Sequence, residues 1–181
     1  MKKRAALVLM LMVISLIASA CGKAQPKGST AFIDAGLLEM QVPDPDGQEH
    51  RLGDVVAQNK VTLLNYWGTF CDPCIDEMPD IEELSAHYAD QGFGVIGLTC
   101  DVMDPGNKRN EDNYQKALDI IETTGVTYPI LFATEEVQDT IKANMFPTSY
   151  FLDSEGHILG DPVVGSHSAE DWESYILEHL K

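Results

Sequence analysis

Residues 61–79 read VTLLNYWGTFCDPCIDEMP and join a strand-like segment to a helix-like one across two cysteines. The run from Val61 to Trp67 is apolar and rich in residues that favour strands, which predicts a buried central strand. From Cys74 onward, apolar positions recur at helical spacing. Cys71 and Cys74 therefore lie where a strand ends and a helix begins.

Two thiols at this spacing close a small disulfide ring reversibly. The unpaired N–H groups and the macrodipole at a helix N-terminus favour an anion, so a thiolate forms there more readily than in water. The thiolate is the species that attacks a disulfide. We therefore predict thiol–disulfide exchange, with Cys71 as the nucleophile and Cys74, one turn into the helix, as the resolving thiol. Pro73 fits the first helical turn, where its missing N–H is not needed.

A zinc site and a purely structural disulfide are the alternatives for such a pair. Zinc needs two further Cys or His ligands at short spacing. Cys21 lies outside the predicted domain, Cys100 stands alone, and the histidines are scattered. A structural disulfide closing so short a loop gains little chain entropy. We expect no metal, and no cofactor beyond the redox-active disulfide itself.

Residues 1–20 have the pattern of a secretory signal peptide, which is set aside in reasoning about the fold. A basic start at residues 2–4 precedes a run of apolar and small residues. That run is shorter than the about 20 residues that a membrane span needs. We therefore expect the chain to be exported.

The signal ends in LIASAC, residues 16–21, which resembles the lipobox of bacterial lipoproteins. The resemblance predicts lipidation of Cys21, although Ala18 stands where lipoboxes usually carry leucine. Ordinary cleavage after Ala20 is the alternative. Residues 21–31 are small and polar and are interpreted as a flexible tether. The folded domain is then predicted to span residues 32–181.

The chain is strongly acidic, with 12 Lys and Arg against 29 Asp and Glu and a formal charge of −17. Such a surface is a poor binder of nucleic acid and of anionic lipid headgroups. We expect no nucleic-acid partner, a solvated acidic surface and a monomeric protein.

The remaining elements alternate in type. A turn at residues 44–47 joins segments 37–42 and 49–52 into an N-terminal hairpin. Strands alternating with helices indicate a parallel sheet, and the late strand pair adds antiparallel strands. The order predicts an α/β thioredoxin-like fold: a central mixed sheet flanked by helices, with the N-terminal hairpin extension and a helical insertion. Further strands are predicted at 93–98, 128–133, 148–152 and 157–164, and helices at 114–124, 134–143 and 168–180.

These motifs resemble the thioredoxin superfamily and, more narrowly, the TlpA/ResA-like extracytoplasmic thiol–disulfide oxidoreductases of the AhpC/TSA-redoxin type. The apolar strand with Asn-Tyr-Trp, the C-x-P-C motif and the following Glu and Pro match at residues 63–79. Residues 145–148, MFPT, match the cis-proline loop of the family, and residues 151–156, FLDSEG, match the next strand and turn. The resemblance covers residues 32–181.

The resemblance implies that Glu77 shuttles the proton of the resolving cysteine. Many thioredoxins carry a buried acid in the strand before the motif, but Asn65 occupies that position here. Glu77 lies three residues beyond Cys74 on the same helical face. We expect burial to raise its pKa. A first-turn glutamate favoured only by the helix dipole is the alternative.

The resemblance also implies a surface for a substrate around the cysteine pair. Pro147 is predicted to be cis and, with Phe146, to face the disulfide, where the backbone pairs with an extended segment of a partner protein. Pro73 belongs to the same surface. Trp67 and Phe70 flank the motif as further substrate contacts, although core packing is the alternative for Trp67.

Asp72 places a negative charge beside the thiols, which opposes thiolate formation and makes the couple more reducing. We therefore expect a reductase of disulfides in exported proteins, lipid-anchored on the extracytoplasmic face of the bacterial membrane. The resemblance implies a membrane electron donor of the CcdA/DsbD type. It also implies clients such as apocytochrome c, in cytochrome c maturation, an extracellular methionine sulfoxide reductase, or spore and envelope proteins.

Two other activities occur on the same fold. A peroxiredoxin-like thiol peroxidase carries Pro-x-x-x-Thr/Ser-x-x-Cys, but Leu64 and Gly68 stand at the Pro and Thr/Ser positions before Cys71. A copper chaperone needs a Cys-x-x-x-Cys spacing that is absent here. Cys100, at the end of the second predicted strand, is expected to be buried and inert, with a second resolving thiol as the alternative.

Overall fold

The computed structural model describes residues 35–181. The predicted signal peptide, the lipidation site Cys21 and the tether lie outside this range. No helix within it combines the length and the apolar character needed to cross a membrane.

The described chain alternates between strands and helices as the sequence indicates. The strands are β1 (Gln41–Pro43), β2 (Glu49–Arg51), β3 (Val61–Trp67), β4 (Phe93–Thr99), β5 (Met103–Asp104), β6 (Lys108–Arg109), β7 (Ile130–Phe132), β8 (Thr148–Asp153) and β9 (Val163–Val164). The helices are α1 (Ala35–Glu39), α2 (Leu52–Val56), α3 (Asp72–Tyr88), α4 (Glu111–Thr124), α5 (Glu135–Ile141) and α6 (Ala169–His179).

A five-stranded mixed sheet in the order β7-β4-β3-β8-β9 forms the centre. β3 pairs with β4 in parallel and with β8 antiparallel, and all seven of its residues are buried. Such continuous burial is expected of a strand covered on both faces. The predicted central strand and the mixed sheet are confirmed.

Successive residues of β3 point to opposite faces of the sheet and enter two separate cores. Leu63 packs in the core that contains residues of α3, α4 and α6. Leu64 packs in the core that contains residues of α1, α2 and α5. The sheet is therefore covered on both faces, and the N-terminal extension closes the second one.

The hairpin of β1 and β2 confirms the predicted N-terminal extension. Its first segment is partly wrong, because residues 37–39 belong to α1, which buries Leu37. The polar loop after β4 contains the small β5–β6 hairpin, which the sequence did not predict. Within the strand predicted at residues 157–164, Ile158 makes a single bridge to Leu152, and only β9 forms a continuous strand.

The ends of the long helices follow their local sequence signals. Gly125 adopts φ 69° after α4, a left-handed conformation in which glycine avoids a Cβ clash. The side chain of Ser168 accepts a hydrogen bond from the Asp171 N–H and caps α6. α3 begins at Asp72, directly after Cys71 at the predicted helix start, and continues through Pro79.

Candidate active site

Cys71 and Cys74 form a disulfide at the N-terminus of α3, with their Cα atoms 5.3 Å apart. Cys71 occupies the N-cap position, and its carbonyl accepts hydrogen bonds from the Cys74 N–H at 3.0 Å and from the Ile75 N–H at 3.2 Å. Cys71 therefore lies at the positive end of this 17-residue helix. The backbone therefore stabilises negative charge at Cys71.

The two sulfurs differ in accessibility. Cys71 is 6% exposed, whereas Cys74 is completely buried. A mixed disulfide with another protein has to form at the thiol that the other protein reaches. The burial pattern supports the predicted roles of Cys71 as nucleophile and Cys74 as resolving thiol.

Glu77 lies one helical turn beyond Cys74 and is 3% exposed. Its Oε2 accepts hydrogen bonds from the indole Nε1 of Trp172 and from the His167 N–H, both at 3.1 Å. Its Oε1 accepts one from Asn65 Nδ2 at 3.0 Å. Three donors thus come from three places in the fold: β3, the loop before α6, and α6 itself.

Burial and hydrogen bonding act on the Glu77 carboxyl in opposite directions. Removal from water disfavours the charged form, while the donors of His167, Trp172 and Asn65 favour it. Burial is the larger effect, and it raises the pKa of Glu77 from 4.5 to about 7. The carboxyl therefore exchanges a proton near neutral pH, as a general acid or base needs to do. The expected burial is confirmed, and it shifts the pKa in the expected direction.

Asn65 holds the position where many thioredoxins carry an acid. Its Nδ2 also donates to Ser149 Oγ at 3.0 Å, across the pairing of β3 with β8. The Asn65 Oδ1 atom is buried and has no hydrogen-bond partner among the described residues. In this chain a neutral amide thus stands on the strand and the acid stands on the helix.

The Phe146–Pro147 peptide bond is cis, as predicted. The ring of Phe146 packs edge-to-face against that of Phe70, with 5.4 Å between centroids, so the loop before β8 contacts the loop before Cys71. Phe70 is 62% exposed and Met145 is 60% exposed. Exposed apolar side chains next to a reactive disulfide are typical of a surface that binds protein segments.

The predicted contact residues divide by burial. Phe70 and Pro73 are exposed and Phe146 is half-buried, whereas Pro147 is buried. Trp67 has no exposed surface and packs in the core with α3. Its assignment as a substrate contact is wrong for this structure, because no part of the side chain is accessible. Asp72 is exposed, next to Cys71.

Sequence reasoning missed several residues around the site. Trp172 and His167 were not predicted to contact Glu77, and Met145 was matched only as part of the MFPT motif. Asp101 was also missed; its carboxylate holds Thr69, two residues before Cys71. The contacts of Trp172, His167 and Asp101 join distant parts of the chain, and no local pattern marks them.

Cys100 is half-buried at the end of β4, directly behind the active-site loop. A Cβ added to Gly68 would lie 3.0 Å from the Cys100 sulfur. Burial raises the pKa of this thiol to about 12. A thiol that stays protonated is a poor nucleophile, which supports the expected inert role.

Metal-ligating side chains converge at a different place in the described chain. Ligand atoms of Asp153, Glu155 and His157 lie within 4.8 Å of one another in the turn after β8. Asp153 pairs with Val61, at the opposite end of β3 from the disulfide. This cluster is therefore separate from the redox site.

Reversible two-electron exchange at a disulfide carried by this sheet and helix is the chemistry of thiol–disulfide oxidoreductases with a thioredoxin fold. Fold and site together assign the chain to that class. Residues 33–160 match the AhpC/TSA family, and the chain belongs to it.

Curated relatives agree with this assignment. The thiol-disulfide oxidoreductase ResA of Geobacillus thermodenitrificans (strain NG80-2) is 30% identical over 193 residues, covering 100% of this chain and 99% of the relative. ResA of Bacillus thuringiensis (strain Al Hakam) is 29% identical over 136 residues, covering 75% of this chain and 71% of the relative. The chain is a thiol–disulfide oxidoreductase of this type.

Solved structures show the same fold. A thiol:disulfide interchange protein of the thioredoxin family from Chlorobium tepidum TLS superposes with a TM-score of 0.65 at 21% identity. The superposition covers 87% of this chain and 100% of that protein. The predicted thioredoxin-like architecture is confirmed.

Proposed function

We propose that this chain is a membrane-anchored, extracytoplasmic reductase that transfers electrons from its dithiol to disulfides of exported proteins. The observation that carries the proposal is Glu77, a buried carboxyl whose pKa is raised to about 7, one turn beyond the buried Cys74. A resolving thiol that has no access to water needs an internal base to become a nucleophile.

The reduced protein begins the reaction. The Cys71 thiolate attacks one sulfur of the client disulfide, and the other client sulfur leaves as a thiolate that takes a proton from water. Glu77 then removes the proton from the Cys74 thiol. The Cys74 sulfur attacks Cys71, expels the second client thiolate and closes the enzyme disulfide. Glu77 returns the proton to that thiolate, so the client gains two electrons and two protons.

The charge of Asp72 supports the reductive direction. Asp72 is the first residue of α3 and is exposed next to Cys71. A negative charge there opposes the Cys71 thiolate and so destabilises the reduced form. A dithiol that is less stable relative to its disulfide is a stronger reductant.

The exposed apolar residues support a protein substrate. Phe70, directly before Cys71, contacts the half-buried Phe146, which follows the exposed Met145, and Pro73 is exposed between the two cysteines. An extended client segment would lie along the backbone before Pro147 and place its disulfide over Cys71. The acidic surface, with a formal charge of −17, disfavours nucleic acid as a partner.

The location rests on the sequence before the domain. Lipidation of Cys21 would place the domain on the outer face of the cell membrane, on the tether of residues 21–31. Re-reduction there requires a membrane electron donor, which we propose to be of the CcdA/DsbD type. Apocytochrome c, a methionine sulfoxide reductase and spore or envelope proteins are the proposed clients of a monomeric enzyme.

Insulin reduction, with dithiothreitol regenerating the enzyme, tests the activity. We expect Cys71→Ser to abolish turnover and Cys74→Ser to accumulate a mixed disulfide through Cys71. A reduction potential near those of the strong periplasmic oxidants, about −120 mV, would contradict the reductive direction. Hydrogen peroxide consumption without insulin reduction would favour a peroxidase, and copper binding without either activity would favour a copper chaperone.

Labelling with a palmitate analogue that Cys21→Ser abolishes tests the anchor.

A further inference from the structure

The loop that presents the nucleophile is held by a side chain from a neighbouring loop. Asp101 follows the end of β4, and its carboxylate is 3.0 Å from the Thr69 N and 2.6 Å from the Thr69 Oγ. The two donors of Thr69 bind different oxygens of the same carboxylate. We call this pair of hydrogen bonds the Asp101–Thr69 clasp. It acts two residues before Cys71.

Asp101 is itself fixed from two sides. The preceding residue, Cys100, donates its N–H to the carbonyl of Trp67 at 2.8 Å, which extends the pairing of β3 and β4 by one hydrogen bond. Asn113 Nδ2, in the first turn of α4, donates to the carbonyl of Asp101 at 2.8 Å. The carboxylate is thus presented by an anchored backbone, which keeps the entropic cost of ordering the clasp small.

The clasp restrains the loop that carries both the nucleophile Cys71 and the exposed side chain of Phe70. The Cys71 N–H donates to the Gly68 carbonyl at 3.0 Å, so Thr69 lies inside the turn that ends at the nucleophile. The ring of Phe70 folds over Gly68, where an added Cβ would lie 2.5 Å from it. That ring also packs against Phe146 of the facing loop. Releasing Thr69 would therefore free Cys71 and Phe70 together.

We propose that Asp101 is a positioning residue for the exchange reaction, holding residues 68–71 through Thr69 so that Cys71 is aligned for attack. The inference rests on the proposed nucleophilic role of Cys71. Attack on a disulfide requires the entering sulfur to approach along the axis of the bond that breaks. Small misplacements of reacting groups cost large factors in rate. Asp101 and Thr69 make no contact with the reacting sulfurs in this mechanism and act only through the loop.

A second carboxylate–threonine pair in the molecule provides a matched control. Glu82, on α3, accepts hydrogen bonds from the Thr127 N–H at 2.8 Å and from the Thr127 Oγ at 2.6 Å. The pair joins the same two threonine donors to a carboxylate, but it is more exposed than the clasp and lies more than two turns along α3 from Cys74. Thr127→Val removes the same kind of hydroxyl bond without touching the active-site loop.

The experiment measures attack by Cys71 on 5,5′-dithiobis(2-nitrobenzoic acid), in the reduced full chain carrying Cys74→Ser. The same protein with Cys71→Ser added provides the blank, which accounts for the reaction of the other thiols. The rate constant is taken on the plateau at high pH, where the thiolate is fully formed, so that changes in thiolate fraction do not enter. We expect Thr69→Val to slow the plateau rate by about tenfold. Thr127→Val should stay within about twofold of the parent, because it leaves the alignment of Cys71 unchanged.

Thr69→Ser keeps both donors and should restore the parent rate. Asp101→Asn keeps one acceptor oxygen and should react at an intermediate rate. This variant still tests the proposal if Thr69→Val fails to fold. Equal rates for Thr69→Val and Thr127→Val, or a Thr69→Ser protein as slow as Thr69→Val, would overturn the proposal. A parent that reacts with this small disulfide but leaves insulin oxidised would contradict the proposed reductase function, while the clasp comparison would still stand.

Discussion

Replacing Glu77 with glutamine should change how the stability of the oxidised protein depends on pH. The pKa of Glu77 is raised from 4.5 to about 7 in the folded protein, chiefly by burial. A carboxyl with a raised folded-state pKa binds its proton more tightly in the folded than in the unfolded chain. It therefore stabilises the fold below pH 4.5, and this contribution is lost as the pH rises through about 7.

The size of the effect follows from the two pKa values. The change from 4.5 to about 7 corresponds to about 3 kcal/mol between the fully protonated and fully ionised limits. Between pH 5 and pH 8 the linkage relation gives a loss of about 2.5 kcal/mol in the free energy of unfolding. Glu77→Gln cannot ionise and should lack this loss. The glutamine amide cannot accept from all the surrounding donors, which lowers the stability of the variant. This loss is the same at both pH values, so it cancels when the change in stability between pH 5 and pH 8 is compared.

Urea unfolding of the oxidised wild-type and Glu77→Gln proteins at pH 5 and pH 8 measures this difference. The wild type should lose about 2.5 kcal/mol more than the variant between the two conditions. Glu83→Gln, an exposed substitution on the same helix, is the matched control and should follow the wild type. A Glu77→Gln protein that also follows the wild type would refute the raised pKa and, with it, the proton-shuttle argument.

Four further predictions concern the surroundings of the disulfide. Trp172→Phe removes the indole donor to the Glu77 carboxylate, which raises the pKa of Glu77 further. The pH profile of the exchange rate should therefore move to higher pH. Gly68→Ala places a Cβ 2.5 Å from the ring of Phe70, which is 62% exposed and can turn into water, so the free energy of unfolding in urea should fall by no more than about 1 kcal/mol; a loss of about 3 kcal/mol would contradict this expectation. Asp72→Asn should raise the reduction potential by about 10–20 mV, measured against glutathione. Iodoacetamide at pH 8, followed by peptide mass spectrometry, should leave Cys100 unmodified in the native protein, because its pKa is raised to about 12.

The parts of the fold that the sequence predicted well are those with a strong local signal. The predicted strand from Val61 to Trp67 coincides with β3, because its burial on both faces requires an unbroken apolar run. The helix end at Gly125 and the cap at Ser168 also follow from backbone geometry that only a few residues satisfy. Short elements were less predictable: α1 replaces part of a predicted strand, and its Leu37 is buried in the second core.

The candidate site was predictable only in its sequential part. Cys71, Cys74 and Glu77 lie within seven residues of one another, so helical spacing places them together. Trp172 contacts Glu77 across 95 residues, and Asp101 contacts Thr69 across 32. Neither contact has a periodic or spacing signature. The expectation for Trp67 failed for a related reason, since position next to a motif does not determine which face of the sheet a side chain enters.

The origin of the donors to Glu77 has a consequence for how the site matures. Two of the three donors, His167 and Trp172, lie within residues 167–172, while both cysteines and the carboxyl itself lie within the earlier residues 71–77. A chain synthesised from its N-terminus therefore contains its cysteine pair before the groups that surround the acid are present. The Glu77 carboxyl acquires its pKa near neutrality only when α6 packs against α3 and buries it. Proton transfer to and from the cysteine pair therefore depends on the docking of α6.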